Sequence, residues 1–68
     1  MLVKRSFTLS GHRTSVALEA EFWDALEALA TSENRTLAAC VAAIDAHRVP
    51  SQPLASSLRI TALAHRPS

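Results

Sequence analysis

Between residues 13 and 18 the side chains alternate, with Thr14, Val16 and Leu18 on one face and Arg13, Ser15 and Ala17 on the other. A period of two that includes Thr and Val predicts a short β-strand whose apolar face covers a core. Gly11, the only glycine in the chain, marks a turn just ahead of it. Ser6-Phe7-Thr8-Leu9 alternates too and offers a second extended segment before that turn. Past Leu18 the period lengthens: Phe22, Leu26 and Leu29 recur at i, i+4 and i+7 beside Ala25 and Ala30, which predicts a helix over 20–32. The stretch 32–36 breaks it, because Asn34 tolerates the left-handed conformation of a helix C-terminus and Thr36 is a good N-cap for the next helix. That second helix is expected over 37–48, with Leu37, Val41 and Ile44 on one stripe and Cys40 beside it. Pro50 and Pro53 in a connector over 49–53 prevent its continuation. A last helical pattern over 54–64 spaces Leu54, Leu58 and Ala62 four residues apart.

The element count matters because the chain has only 68 residues. A domain of that size buries only about 60% of the surface its unfolded chain exposes, so its core needs a supplement. One cysteine cannot form an internal disulfide, and His12, His47 and His65 with Cys40 make no ligand pair at metal spacing. No metal or cofactor is expected. Ala38, Ala39, Ala42, Ala43 and Ala46 spread an apolar surface around the second helix wider than one short helix covers with its own chain. Association of two copies is therefore expected, with Val16, Leu18, Phe22, Trp23, Leu26, Leu29, Leu37, Cys40, Val41 and Ile44 forming the shared core. Within it Cys40 reads as a small hydrophobe rather than a reactive thiol.

Charge adds an asymmetry that the net value of +1 conceals. Residues 1–13 carry +3 through Lys4, Arg5 and Arg13, and residues 14–34 carry −5. Residues 35–68 carry +3, with Arg35, Arg48, Arg59 and Arg66 against Asp45. The basic opening fits an anionic partner such as a phosphate backbone. The acidic block has a structural role of its own, since Glu19, Glu21 and Asp24 sit at or near the positive end of the first helix. No segment has the apolar length of a membrane span and the opening residues have no apolar leader core, so a cytoplasmic protein without membrane contact is expected.

A strand, a helix, a tight turn and an alanine-rich second helix resemble the ribbon-helix-helix superfamily of Arc and MetJ. Lys4-Arg5-Ser6, Gly11-His12-Arg13-Thr14-Ser15, Leu18-Glu19, Glu21-Phe22-Trp23 and Ile44-Asp45-Ala46 look like a compact bacterial subfamily, and the likeness runs over nearly the whole chain. The resemblance implies a mostly α fold with one short β-strand. Two intertwined copies would pair their strands into an antiparallel intermolecular ribbon, with an extra helix at the C-terminus. Residues 1–12 become a basic arm, 13–48 the ribbon-helix-helix core, and 49–68 the connector and C-terminal helix.

The same resemblance implies double-stranded DNA as partner, with the ribbon in the major groove and base contacts from Arg13, Ser15 and Ala17. Arg13 can donate two hydrogen bonds to a guanine edge, Ser15 can donate or accept, and Ala17 offers only a methyl contact. Phosphate contacts are expected from Lys4 and Arg5, and from Thr36, Leu37 and Ala38 at the start of the second helix. The function implied is a homodimeric transcriptional regulator, with higher-order association on DNA open. The alternative is an antitoxin-like or scaffold dimer that binds a protein partner instead of an operator. Catalysis is not expected, because the chain has neither a phosphate-cradling glycine loop nor a nucleophile and base at workable spacing.

Overall fold

A computed structural model describes residues 1–65 of the chain. Arg66, counted above in the C-terminal positive block, lies outside the described residues. Two strands, β1 (Leu2–Leu9) and β2 (His12–Glu19), precede three helices, α1 (Ala20–Ser32), α2 (Leu37–His47) and α3 (Leu54–Ala64). The strands pair antiparallel, from Leu9 opposite His12 to Leu2 opposite Glu19. Ser10 and Gly11 join them with φ of 51° and 80°. Positive φ at both central residues is the type I′ arrangement, whose twist matches that of the strands it joins.

This corrects the expectation of a single short strand: the described residues form two, and β1 covers one edge of β2 while the other edge stays open. β2 finds its partner eight residues long in its own chain, within what was read as a basic arm. The alternation visible at Ser6–Leu9 continues back to Leu2, and Gly11 lets the chain reverse in two residues. Closing so short a loop costs little chain entropy, so β1 pairs locally with one edge of β2.

Beneath the hairpin, Phe7, Leu9, Val16 and Leu18 are buried against Trp23, Leu26, Val41, Leu58 and Ala62. Trp23 anchors this layer. It is 1% exposed, its ring centroid lies 5.8 Å from that of Phe7, and its Nε1 donates a hydrogen bond of 2.7 Å to the Val3 carbonyl. A buried indole N–H without a partner would cost free energy, so this bond fixes β1 on α1 as well as satisfying the ring.

The helix ends follow the sequence closely. Asn34 takes a φ of 56°, and the Arg35 and Asn34 N–H groups return to the carbonyls of Ala30 and Thr31 at 2.9 and 3.1 Å. Those bonds satisfy the last carbonyls of α1 in a Schellman arrangement. Thr36 then caps α2, its hydroxyl oxygen accepting from the Ala39 N–H at 3.1 Å. α2 stops one residue short of the expected Arg48, which leaves the helix with ψ 138° and donates to Asp45 at 3.1 Å and to the Gln52 carbonyl at 2.8 Å.

Of the ten residues expected in a shared core, nine are buried in one chain or packed against its core, and Leu29 lines an open groove. Val16, Leu18, Trp23, Leu26, Cys40 and Val41 are buried, while Phe22, Leu29, Leu37 and Ile44 are half-buried. Apolar surface nevertheless stays uncovered: Val49, Ile60 and Leu63 are more than half exposed, and Ala38, Ala39, Ala42 and Ala46 of α2 face solvent.

Candidate nucleic-acid interface

Residues opposite one another across an antiparallel pair share a face of the sheet. The register Lys4↔Ala17, Ser6↔Ser15 and Thr8↔Arg13 therefore gathers these six side chains on the outer face of the hairpin. Lys4, Ser6, Thr8, Arg13 and Ser15 are exposed and Ala17 is half-buried. The hydroxyls of Ser6 and Ser15 lie 3.1 Å apart, close enough to share a proton as a hydrogen bond. Base-contact candidates Arg13, Ser15 and Ala17 thus lie together on the exposed face, with Val16 and Leu18 turned inward.

The ion pairs separate the cations into two groups. Arg5 pairs with Glu27 at 2.6 Å, Arg35 with Glu33 at 3.5 Å, Arg48 with Asp45 at 3.1 Å, and Arg59 with Glu19 at 3.1 Å. Among the described residues Lys4 and Arg13 are the Lys and Arg side chains with no carboxylate partner. Both belong to the outer face. Glu19, at the far end of the same alternation, is held by Arg59 of α3. Its carboxyl lies below the usual carboxylate range, first because its own backbone N–H donates to it, then because Arg59 bonds and attracts it against the opposing effect of desolvation.

Arg5 is placed differently from Lys4. It belongs to the inward alternation of β1, and its guanidinium stacks 5.2 Å from the Trp23 ring centroid while bonding Glu27. The structure therefore engages Arg5 in fastening the hairpin to α1. Arg59 makes the matching clasp, 5.9 Å from the Phe22 ring centroid and bound to Glu19. Neither clasp is visible in the sequence, since their partners lie 22 and 40 residues away.

At the start of α2, Thr36 and Ala38 are exposed and Leu37 is half-buried. The Thr36 hydroxyl already takes the Ala39 N–H, so the N–H groups ahead of Ala39 remain for an anion. Cys40 is buried at 2% exposure. Burial pushes its thiol above the ordinary range and Glu33 adds to that, with Arg35 opposing. A thiol held protonated is a poor nucleophile, in keeping with a packing role. The sequence pattern undervalued Ser6 and Thr8, which stand beside Lys4 on the exposed outer face; their alternation with Phe7 and Leu9 was the available signal.

A two-stranded ribbon followed by three helices agrees with the family comparison. The model of the ribbon-helix-helix domain matches residues 2–66, and the chain belongs to that family. Domains of this kind are typical of DNA-binding transcription regulators and antitoxins, and they typically dimerise. No curated protein and no solved structure matches the chain. No helix among the described residues is long and apolar enough to cross a membrane.

Proposed function

We propose that this protein is a homodimeric transcriptional regulator that lays the outer face of its β-ribbon in the DNA major groove. One observation carries the reading: the two described Lys and Arg side chains without carboxylate partners, Lys4 and Arg13, stand on one exposed ribbon face. A free guanidinium forks onto the O6 and N7 of guanine. Lys4 neutralises phosphate, Ser6, Ser15 and Thr8 supply adaptable hydroxyls, and the start of α2 at Thr36, Leu37 and Ala38 receives a backbone phosphate. The inward placement of Arg5 removes it from this set. Val49 and Ile60, exposed beside an open groove of about 440 Å³ between α2 and α3, offer apolar surface for a second copy. The protein acts by binding and not by catalysis.

Selection of bound fragments from random duplex DNA, followed by titration against salt, tests this. Affinity is expected to fall with log salt at a slope of about −0.9 per phosphate neutralised. Arg13→Ala is expected to cost about 1–3 kcal/mol of binding and to relax one base position. Failure to retain any duplex at low salt would sink the proposal. A stoichiometric protein partner recovered without DNA would select the interaction-module reading, which the exposed alanines of α2 favour.

A further inference from the structure

Each base-contact candidate on β2 has a companion from β1 directly across the ladder: Thr8 opposite Arg13, Ser6 opposite Ser15 and Lys4 opposite Ala17. Leu9 and His12 flank the two-residue turn and form its hydrogen-bonded pair. Bonded and non-bonded pairs alternate from there, which makes Ser6 and Ser15 a non-bonded pair, the kind whose side chains approach most closely. Their hydroxyl oxygens lie 3.1 Å apart and either can donate. Both residues are exposed, while Phe7, Leu9, Val16 and Leu18 hold the hairpin from inside. An exposed hydroxyl pair exchanges readily with water, so folding gains little from this bond.

We infer that Ser6 is a positioning residue for base recognition: it orients the Ser15 hydroxyl and acts on DNA through it, without touching a base. The inference rests on the DNA-binding reading above and deepens it. A lone serine hydroxyl rotates to suit its surroundings and carries one proton and two lone pairs. Tied to Ser6, the Ser15 hydroxyl commits one of these to its companion and keeps a defined remainder for the groove. When a base edge accepts, Ser15 donates to it and receives the Ser6 proton. When a base edge donates, Ser15 accepts and gives its own proton to Ser6. In both cases the two bonds run head to tail and polarise one another. The other two candidates have less to gain from a companion, since the Arg13 guanidinium is a rigid fork and Ala17 has no polar side-chain group. Ser6 meets Ser15 from the side of β2 that β1 covers, so the arrangement leaves the open edge of β2 unobstructed.

The test is selection of bound duplexes from a random library, followed by titration of the best sequence and its single-base variants. Ser15→Ala is expected to relax one base position. Ser6→Ala is expected to relax the same position, lowering discrimination there by about 2- to 12-fold, the worth of one ordinary hydrogen bond, with the salt slope and thermal midpoint of the parent protein. Ser6→Thr keeps a hydroxyl and is expected to restore the preference, whereas Ser6→Val, of the same shape without the hydroxyl, is not. The Ser6→Ala/Ser15→Ala variant is expected to be no less selective than Ser15→Ala alone, because nothing is left to orient. A Ser6→Ala profile matching that of the parent would overturn the inference. So would relaxation at a different position, which would make Ser6 a base contact in its own right, or a Ser15→Ala profile unchanged throughout. Equal behaviour of Ser6→Thr and Ser6→Val would assign the effect to strand shape and also overturn it. A parent protein that retains no duplex at low salt would reject the DNA-binding reading and this inference together, an outcome distinct from selective binding that Ser6→Ala leaves untouched.

Discussion

On the inner side of the hairpin, Phe7, Leu9, Val16 and Leu18 are buried against Trp23, Leu26, Val41 and Leu58. On the outer side, one residue along each strand, Lys4, Ser6, Thr8, Arg13 and Ser15 are exposed, and neither Lys4 nor Arg13 meets a carboxylate. The two strands thus bury one set of alternate side chains and expose the other. Nothing in the packing requires Arg13 or Lys4, and as exposed cations without a carboxylate partner both are open to an anion from outside the chain. The two basic neighbours Lys4 and Arg5 show the division most sharply. They are adjacent in sequence, yet one is exposed on the outer face and the other is clasped to α1.

The largest effect expected is on the inner side. Trp23→Ala removes the anchor of the layer and leaves a cavity, a change that typically costs about 3–5 kcal/mol. A domain of this size has little more stability than that in total, so circular dichroism should show a chain mostly unfolded at ambient temperature. A cooperative melt close to that of the parent protein would break the comparison.

Next comes the adjacent pair. Lys4→Ala is expected to leave the thermal midpoint nearly unchanged and to reduce the salt slope of DNA binding by about 1. Arg5→Ala is expected to do the opposite, costing about 0.5–1 kcal/mol of stability through the lost stack on Trp23 while leaving the salt slope alone. Equal loss of salt slope in both variants would show that Arg5 leaves Glu27 for phosphate.

The smallest effect expected is at Glu19. Its carboxyl is depressed in the fold, so its contribution to stability is present above the unfolded carboxylate range, near 4.3, and is lost as pH falls through the folded value. Glu19→Gln should melt slightly below the parent protein near neutral pH and coincide with it in acid. A gap that widens in acid would contradict the sign of this linkage.

How much of this was legible in the sequence depends on the range of the interaction. α1 and α3 were readable to the residue because their limits are set locally, by Ser32 to Thr36 at one end and by Pro53 at the other. The inward-outward division of β2 was readable for the same reason, since period two is a local property. β1 was half visible at Ser6–Leu9 and lost at Lys4-Arg5, where a charged side chain stands at an inward position that only the Trp23 ring and Glu27 make tolerable. That β2 pairs with β1 of its own chain is not a local property, because alternation fits a partner from either chain. The deciding feature was Ser10 at positive φ, a conformation that serine gives little sign of adopting. The clasps Arg5–Glu27 and Arg59–Glu19 needed the fold before their partners could meet.

Trp23 is the sole tryptophan of the chain, and its indole joins β1 to the helices through one hydrogen bond and one stacked guanidinium. Its emission is therefore an intrinsic gauge of whether the hairpin lies seated on the helical layer. Lifting the hairpin would wet the ring and shift its spectrum to the red. Ligands that touch only the outer side would leave that spectrum still, so unlabelled protein can distinguish occupancy of the ribbon from its displacement.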